Sequence, residues 1–370
     1  MSQLSDLIKK YCLNGVEYRS LGEVCEYEQP SKYIVKSTNY NDDFETPVLT
    51  AGQSFILGYT DEKDGIYIAS KENPVIIFDD FTGAFKWVDF PFKVKSSAMK
   101  MLKTNEKALI RYVFHCMSNL NFSSDEHKRL WISIYSQFKI PVPPLPVQEE
   151  IVRILDNFTK LTAELTAELT ARRAQYEYYR DALLKFDFLN GGGRKVKLGD
   201  IAVLKAGKAI SAFDLSETNT GGLFPCFGGN GLRGYIGKFS HDGDFPIIGR
   251  QGALCGNVKF VSGKFYATEH AVVVSAKEEV NPKFLYYTLV KMNLNQYRSS
   301  GAQPGLSVTK LEPLEIFLPP LEEQERIVAI LDRFDRLCND ISEGLPAEIE
   351  ARRKQYEYYR DKLLSFPMVG

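Results

Sequence analysis

The sequence has no apolar run that reaches the ~20 residues needed to cross a bilayer. Its first residues, MSQLSDLIKKYCLNG, lack the apolar stretch of a signal peptide. The six cysteines include no C-x-x-C pair and the four histidines are scattered, which argues against a zinc site. These absences predict a cytoplasmic protein whose thiols are free and whose cysteines act as small buried hydrophobes.

Motifs of catalytic sites are missing as well. No glycine loop ends in G-K-[ST], and no serine elbow, H-E-x-x-H or Asp/Asn-Pro-Pro-aromatic motif occurs, NPKF (281–284) being the nearest approach to the last. GNGLRG (229–234) fits G-x-G-x-x-G, but YIGKF after it predicts a strand where a dinucleotide site needs a helix. We interpret it as a glycine-rich turn and expect a protein without a catalytic centre.

Two blocks of sequence occur twice. ARRAQYEYYRDALL (171–184) returns as ARRKQYEYYRDKLL (351–364) with two of fourteen positions changed. PPLPVQEEIVRILDNF (143–158) returns as PPLEEQERIVAILDRF (319–334) with five of sixteen changed. The copies are 180 residues apart in the first case and 176 in the second, so the second copy carries four inserted residues. The chain is therefore a duplicated domain-plus-helix unit.

The segments between the repeated blocks have a different composition. They are rich in glycine, aromatic residues and short β-type runs such as PVIIF (74–78) and AVVVSA (271–276), separated by turn residues. One amphipathic helix is predicted in each, ALIRYVFHCMS (108–118) and KFLYYTLVKMN (283–293). We expect an α+β chain with mostly β domains at 1–142, which includes a short N-terminal helix, and 191–318, and helical regions at 143–190 and 319–370.

Apolar residues in both helical regions follow the 4-3 spacing of a coiled coil. The predicted seam comprises Ile151, Leu155, Phe158, Leu165, Leu169, Tyr176, Tyr179 and Leu183 in the first copy, and Ile327, Leu331, Phe334, Ile341, Leu345, Tyr356, Tyr359 and Leu363 in the second. One stripe per helix favours antiparallel packing of the two copies on each other; packing of each helix on its own domain is the alternative. A stutter, Gly344 and Pro346 predict a break near 344–346 in the second copy.

Charge gives a mild indication of function. Residues 191–318 contain 15 Lys and Arg against 10 Asp and Glu, whereas residues 1–142 contain 17 against 18. GRQG (249–252) places an arginine and a glutamine beside glycines. Because arginine pairs with guanine and glutamine with adenine, this loop suits a DNA reader, although a plain surface turn has the same pattern.

The chain has a variable segment, then PPLxxQExIVxILDxF, then ARRxQYEYYRDxLL, and then these three parts a second time. This order resembles the specificity (S) subunit of Type I restriction-modification enzymes across essentially the whole chain. The resemblance implies two target-recognition domains separated by an antiparallel coiled coil with a pseudo-twofold repeat. It implies that each domain reads half of a split double-stranded DNA site and that the helices bind two methyltransferase (M) subunits. S-adenosylmethionine would be held by the M subunits and ATP and Mg by restriction (R) subunits, with no cofactor in this chain.

Site residues follow from this resemblance together with the loop composition. We predict DNA contacts at Arg250, Gln251, Arg233 and Lys238, and weaker ones at Lys86 and Trp87. The off-seam residues Tyr178, Glu177, Tyr358 and Glu357 are candidates for contact with the M subunits; the alternative for them is a solvated or domain-packed helix face.

Three other functions stay open at this point. One is the specificity subunit of a methyltransferase-only complex, which a neighbouring R-subunit reading frame would exclude. Another is a coiled-coil adaptor without DNA contact, which a sequence-specific shift of duplex DNA would exclude. The third is an independent methyltransferase, which binding of S-adenosylmethionine by the isolated chain would support.

Overall fold

The computed structural model describes residues 2–52, 54–120, 122, 129–185, 193–219, 221–252, 254–299, 304–340 and 342–369. The first variable segment forms α1 (Ser2–Tyr11), β1 (Tyr18–Ser20), α2 (Leu21–Val24), β2 (Cys25–Glu28), β3 (Thr46–Leu49), β4 (Ile56–Thr60), β5 (Val75–Asp79), β6 (Phe85–Val88), β7 (Lys93–Val94), β8 (Met99–Thr104), α3 (Ile110–Ser118), α4 (Leu130–Ser133) and β9 (Lys139–Pro141). The central helix α5 (Leu145–Leu183) follows.

The rest of the chain repeats this order, with one strand, β15, in the place of β6 and β7. It forms β10 (Arg194–Lys197), α6 (Leu198–Ile201), β11 (Ala202–Ala206), β12 (Phe224–Gly228), β13 (Gly231–Ile236), β14 (His241–Gly249), β15 (Val258–Ala267), β16 (Ala271–Ala276), α7 (Pro282–Lys291), α8 (Val308–Leu311), β17 (Glu315–Leu318), α9 (Leu321–Asn339) and α10 (Leu345–Leu363). The helices predicted at 108–118 and 283–293 are confirmed as α3 and α7.

The chain divides into two compact units, residues Met1–Leu165 with Ile349–Gly370, and Thr166–Glu348. Each unit combines one variable segment with residues of both helical regions. The unit boundaries therefore fall within α5 and α10. The four segments predicted from the sequence instead begin and end with the repeated blocks.

The two variable segments share one strand order. Unit 1 has sheets in the order β2-β8-β5-β6 and β4-β3-β7, and unit 2 has a single sheet in the order β11-β16-β14-β15-β12-β13. In both, a hairpin has a bulge at the matching place, between Val48 and Leu49 and between Cys226 and Phe227, and its first strand also pairs in parallel with a later strand. The prediction of mostly β domains with a few helices is confirmed.

Apolar runs form the centres of these sheets. The first four side chains of β5, VIIF, are buried, because that strand lies between β8 and β6 and its alternate side chains belong to two different hydrophobic clusters. In unit 2 the strand β16 reads AVVV at its buried start. The domain helices supply the facing layer, α3 through Tyr112 and Val113 and α7 through Phe284 and Leu285.

Helix α5 shows the predicted heptad pattern in its burial. From Phe158 to Arg172 the half-buried positions are Phe158, Thr162, Leu165, Leu169 and Arg172, and those between them are exposed. This is the 4-3 spacing of a coiled-coil seam. The expected continuity of the central helix over 39 residues is confirmed.

Aromatic stacks show how the seam is paired. In unit 1 the ring of Phe158 stacks on Tyr359 at 5.3 Å between centroids, and in unit 2 Tyr179 stacks on Phe334 at 5.6 Å. Also in unit 2, Arg173 Nη2 donates to the carbonyl of Cys338 at 3.4 Å. Within unit 2, residue numbers fall along α5 from Tyr179 to Arg173 as they rise along α9 from Phe334 to Cys338, so these two helices pack antiparallel, as expected.

Other seam residues also join the domain cores. Ile151, Leu155, Ile327 and Leu331 are fully buried and Leu345 nearly so. The half-buried seam residues pack against the core of their own unit: Tyr176 and Leu183 in unit 2, and Tyr356 and Leu363 in unit 1. Ile341 lies outside the described residues. The helices thus pack on each other and, towards their ends, on their own domains.

The predicted break in the second helical region is confirmed, because α9 ends at Asn339 and α10 begins at Leu345. The Asp340 carboxylate accepts hydrogen bonds from the backbone N–H groups of Ser342 and Glu343. Gly344 is buried, and a Cβ there would lie 2.6–2.8 Å from the carbonyl oxygens of Arg336, Leu337 and Asp340. Only glycine fits this turn without displacing backbone.

We expect Gly344→Ala to lower the free energy of unfolding by about 1–3 kcal/mol, since the added methyl group overpacks against three carbonyls. Glu343→Ala is the matched control, because Glu343 is exposed and its N–H remains. Urea unfolding of both variants measures the difference. Equal stability of the two would mean that the turn adjusts freely.

Candidate nucleic-acid interface

Three loops of unit 2 meet at one end of its sheet. They are the β12–β13 turn, the residues after β14, and the β15–β16 connection. Together they form a cleft of about 350 Å³ lined by Gly229, Asn230, Arg233, Gln251, Gly252 and His270. The two glycine-rich motifs of the sequence, GNGLRG and GRQG, are therefore neighbours in the fold.

Glycine is required where these loops touch. A Cβ on Gly249 would collide with the carbonyl oxygen of Gly229, and a Cβ on Gly229 would lie 3.1 Å from the oxygen of His270 and 3.2 Å from that of Gln251. Gly252 has a φ of +85°, which favours glycine. GNGLRG forms a hairpin turn leading into β13, as the sequence predicts, and no helix follows it.

The structure separates the predicted DNA contacts of unit 2. Arg233 and Gln251 are exposed and line the cleft together. Arg250 is half-buried and donates through Nη1 to the carbonyl of Glu269 at 3.3 Å. Lys238 is exposed outside the cleft, with its Nζ 5.6 Å from the ring centroid of Tyr266. Sequence neighbours Arg250 and Gln251 thus have different surroundings.

The candidates of unit 1 lie within a strand. Lys86 and Trp87 belong to β6, where they pair with Ile77 and Ile76 of β5. The Trp87 ring faces α3, with the Arg111 guanidinium 4.7 Å from its centroid. These contacts give Trp87 a packing role at this position.

Asp80 in unit 1 occupies the backbone position that Arg250 has in unit 2. Each follows a central strand and donates its N–H at 2.9 Å to the connection before the neighbouring strand, Asp80 to Ala98 and Arg250 to His270. The Asp80 carboxylate binds Lys100 at 3.1 Å, and both side chains are buried. The two domains therefore carry side chains of opposite charge, Asp80 and Arg250, at the same backbone position.

A buried glutamine joins each domain helix to the adjacent long helix. Gln148 accepts from the Leu109 N–H at 2.9 Å and donates to the carbonyls of Lys107 and Pro143 at 3.0 and 2.7 Å. Its counterpart in the repeat, Gln324, makes the same set of bonds in unit 2, to the Asn281 N–H at 2.8 Å and to two carbonyls at 3.1 and 2.9 Å. Both amides are fully buried and have all three partners.

An aspartate about two turns after Gln148, on the same face of α5, completes the joint of unit 1. Asp156 accepts from Arg111 Nε at 2.8 Å and from His115 Nε2 at 2.9 Å, and His115 Nδ1 lies 3.2 Å from the Tyr356 hydroxyl. Burial acts to raise the pKa of Asp156, but the hydrogen bond from His115 and the Arg111 charge outweigh it, so this pKa lies below its ordinary value. Asp156 is therefore a carboxylate acceptor at neutral pH.

The counterpart Asp332 has different donors in unit 2. It accepts from the Tyr287 hydroxyl at 2.7 Å and from Lys283 Nζ at 2.6 Å. Burial, followed by the bond to Asp332, raises the pKa of Tyr287 far above its ordinary value, so the phenol keeps its proton and donates. Gln324 and Asp332 come from the repeated block, whereas their donors come from the variable segment.

The off-seam tyrosines are open to solvent in both copies. Tyr178 is 70% exposed and Tyr358 60%, each packed edge-on against the next tyrosine of its helix. Glu177 is exposed, and Glu357 pairs with Arg353 at 3.2 Å. Exposed aromatic side chains recurring at equivalent positions suit a protein-binding surface.

Other kinds of site are not seen in the part of the chain that the structure describes. There, no three His, Cys, Asp or Glu side chains are grouped to hold a metal ion. No helix among these residues is long and apolar enough to traverse a bilayer. All six cysteines are unpaired and buried.

Comparisons agree with the duplicated architecture. The family model described as the type I restriction modification DNA specificity domain matches twice, at residues 14–172 and 192–351. The specificity subunit of the Escherichia coli type I restriction enzyme EcoR124I/EcoR124II is 42% identical over 405 positions, covering 99% of this chain and 98% of that protein. The specificity subunit of the Escherichia coli enzyme EcoprrI is 52% identical over 221 positions, covering 56% and 55%.

A solved structure shows the same fold. The S subunit of a type I restriction-modification system from M. genitalium aligns with a TM-score of 0.65 at 15% identity, covering 95% of this chain and 96% of that one. The fold and the repeat therefore define the class of the protein, which is a chain with two DNA specificity domains in tandem. The chain belongs to the specificity subunits of type I restriction-modification systems. It is a DNA-recognition and assembly subunit and not a catalytic one.

We expect Gln324→Leu to lower the free energy of unfolding by about 2–4 kcal/mol, because one buried N–H and two carbonyls lose their partner. Glu325→Leu, on the exposed side of the same helix turn, is the control. Urea unfolding gives the difference, and hydrogen exchange should show faster exchange at the Asn281 N–H. A cost within about 0.5 kcal/mol of the control would contradict the role of the glutamine.

Proposed function

We propose that the two variable segments each read one half of a split double-stranded DNA sequence, while the repeated helices set their separation and bind two M subunits. One observation carries this proposal: residues of the repeated blocks make the same bonds in both units, whereas equivalent loops carry different side chains, such as Asp80 and Arg250. Identical partners need identical docking surfaces, and different half-sites need different readers.

In unit 2, Arg233 and Gln251 are the proposed base-contacting residues, since both side chains are exposed in one cleft. Arg250 supports that loop from inside, and Lys238 contacts phosphate. Lys86 and Trp87 are the weaker candidates in unit 1, where their strand positions favour a supporting role.

The proposed assembly places catalysis on partner subunits in the cytoplasm. S-adenosylmethionine would be held by the M subunits, and ATP and Mg by R subunits. The exposed aromatic pair Tyr178 and Tyr358, with Glu177 and Glu357, forms the proposed M-binding surfaces. Because the two surfaces are copies in sequence, each would bind one M subunit.

We expect Tyr178→Ala or Tyr358→Ala alone to weaken the binding of one M subunit, and the double variant to weaken the binding of both. Removing an interface tyrosine costs about 2 kcal/mol of binding free energy, which would weaken each site roughly 30-fold. Light scattering of the complexes over a dilution series gives the concentration at which M subunits dissociate, with Lys354→Ala on the exposed face of α10 as control. A double variant that retains two M subunits down to the same dilution as the wild type would contradict these surfaces.

The tract LTAELTAELTARR (161–173) in α5 offers a test of the spacing role, because TAEL occurs twice in tandem. One further TAEL after Leu169 would lengthen the helix by about 6 Å and rotate its remainder by about 40°. A four-residue step is tolerated as a stutter, so the seam should survive.

We expect the insertion variant to methylate the same two half-sites across a spacer longer by one or two base pairs, at roughly 3.4 Å per pair. Deleting one TAEL is the matched variant and should shorten the spacer. Methylome sequencing of cells carrying each variant measures this. An unchanged spacer at full activity would show that the helix does not set the distance.

A further inference from the structure

Buried polar atoms without partners are concentrated beside the unit 2 cleft. Among the described residues, five buried side-chain atoms lack a hydrogen-bond partner within the protein, and four of them are Arg250 Nε, Thr268 Oγ1, Glu269 Oε2 and His270 Nδ1. Folded proteins leave few such groups unpaired, and those that persist are common at functional sites. Arg250 directly precedes the cleft residue Gln251, and His270 itself lines the cleft.

The equivalent place in unit 1 is fully paired. Asp80 binds Lys100, and its second oxygen accepts the Trp131 N–H at 2.8 Å. The unpaired groups of unit 2 are therefore not imposed by the shared framework. They belong to the side chains that distinguish this domain from the other.

The cleft chemistry fits a base edge better than a phosphate. Phosphate oxygens only accept hydrogen bonds, so a phosphate site is lined by donors and positive charge. Here Arg233 is joined by the amides of Asn230 and Gln251, which both donate and accept. The Glu269 carboxylate nearby, with one oxygen unpaired and the other 3.1 Å from His270 Nε2, would repel a phosphate.

Glu269 and His270 are paired beside the cleft. The carboxylate of Glu269 can only accept, so His270 Nε2 donates to it at 3.1 Å. A mixture of donors and acceptors matches the major-groove edges of purines, where guanine offers two acceptors and adenine an acceptor and an amino group.

We propose that this cleft takes purine edges of duplex DNA, with Arg233 on guanine O6 and N7 and Gln251 on adenine N6 and N7. Asn230 and His270 complete the polar lining, and Arg250 positions the Gln251 loop. The inference rests on the proposed DNA-reading function and specifies the bases that unit 2 selects.

The test uses the whole chain assembled with its M subunits and a duplex library randomised over the recognised site. The selected sequences should contain a guanine and an adenine in one half-site. Arg233→Ala should relax the guanine position and Gln251→Ala the adenine position, each by roughly 5- to 150-fold, with the other half-site unchanged.

Conservative variants separate base reading from general DNA affinity. Arg233→Lys keeps the charge but loses the fork that binds guanine, so guanine preference should fall while non-specific affinity remains. Gln251→Glu should shift the adenine position towards cytosine, whose N4 a carboxylate accepts. Lys238→Ala, outside the cleft, should weaken all sequences equally and alter no base preference.

Two results would overturn the inference in distinguishable ways. If the wild-type complex selects a split site that Arg233→Ala and Gln251→Ala leave unchanged, or weaken uniformly, the cleft is not the reader although the proposed function stands. If the wild-type complex selects no split site, both the proposed function and this inference are wrong. Copurification of each variant with the M subunits confirms assembly, and both substituted side chains are exposed.

Discussion

The attachment of each reading domain depends on one buried amide, Gln148 in unit 1 and Gln324 in unit 2. Each satisfies the N–H of the residue that caps a domain helix and two carbonyls in the interior, where an unpaired backbone group costs about 1–3 kcal/mol. Because every partner is backbone, the bonds place no demand on the side chains of the domain. The sequence of a reader can therefore change while its docking geometry stays fixed.

The aspartates near these glutamines also join the long helices to the domains, but they bind side chains and not backbone groups. Asp156 accepts from an arginine and a histidine, and Asp332 from a lysine and a tyrosine. A carboxylate has several acceptor positions and tolerates donors of different shape. The constant partner in each joint is thus the acceptor supplied by the repeated helix, and the variable partner is whichever donor the domain presents.

Features with a local period were predictable from the sequence, and features assembled from distant loops were not. The 4-3 spacing gave the continuous α5, and Gly344 with Pro346 gave the break after Asn339. GRQG and GNGLRG are each visible in the sequence, but nothing local shows that they form one cleft or that His270 lines it. Adjacent residues in a loop can face opposite ways, so sequence could not distinguish Arg250 from Gln251.

The four inserted residues show what the helices conserve. Tyr359 follows Phe334 by 25 residues, whereas Tyr179 follows Phe158 by 21. Phe158 nevertheless stacks on Tyr359 in unit 1 as Tyr179 stacks on Phe334 in unit 2. The extra residues must be taken up between the blocks, where residues 340–344 separate α9 from α10. The inserted residues thus change the covalent path between the two blocks, while each unit keeps one Phe–Tyr stack between its long helices.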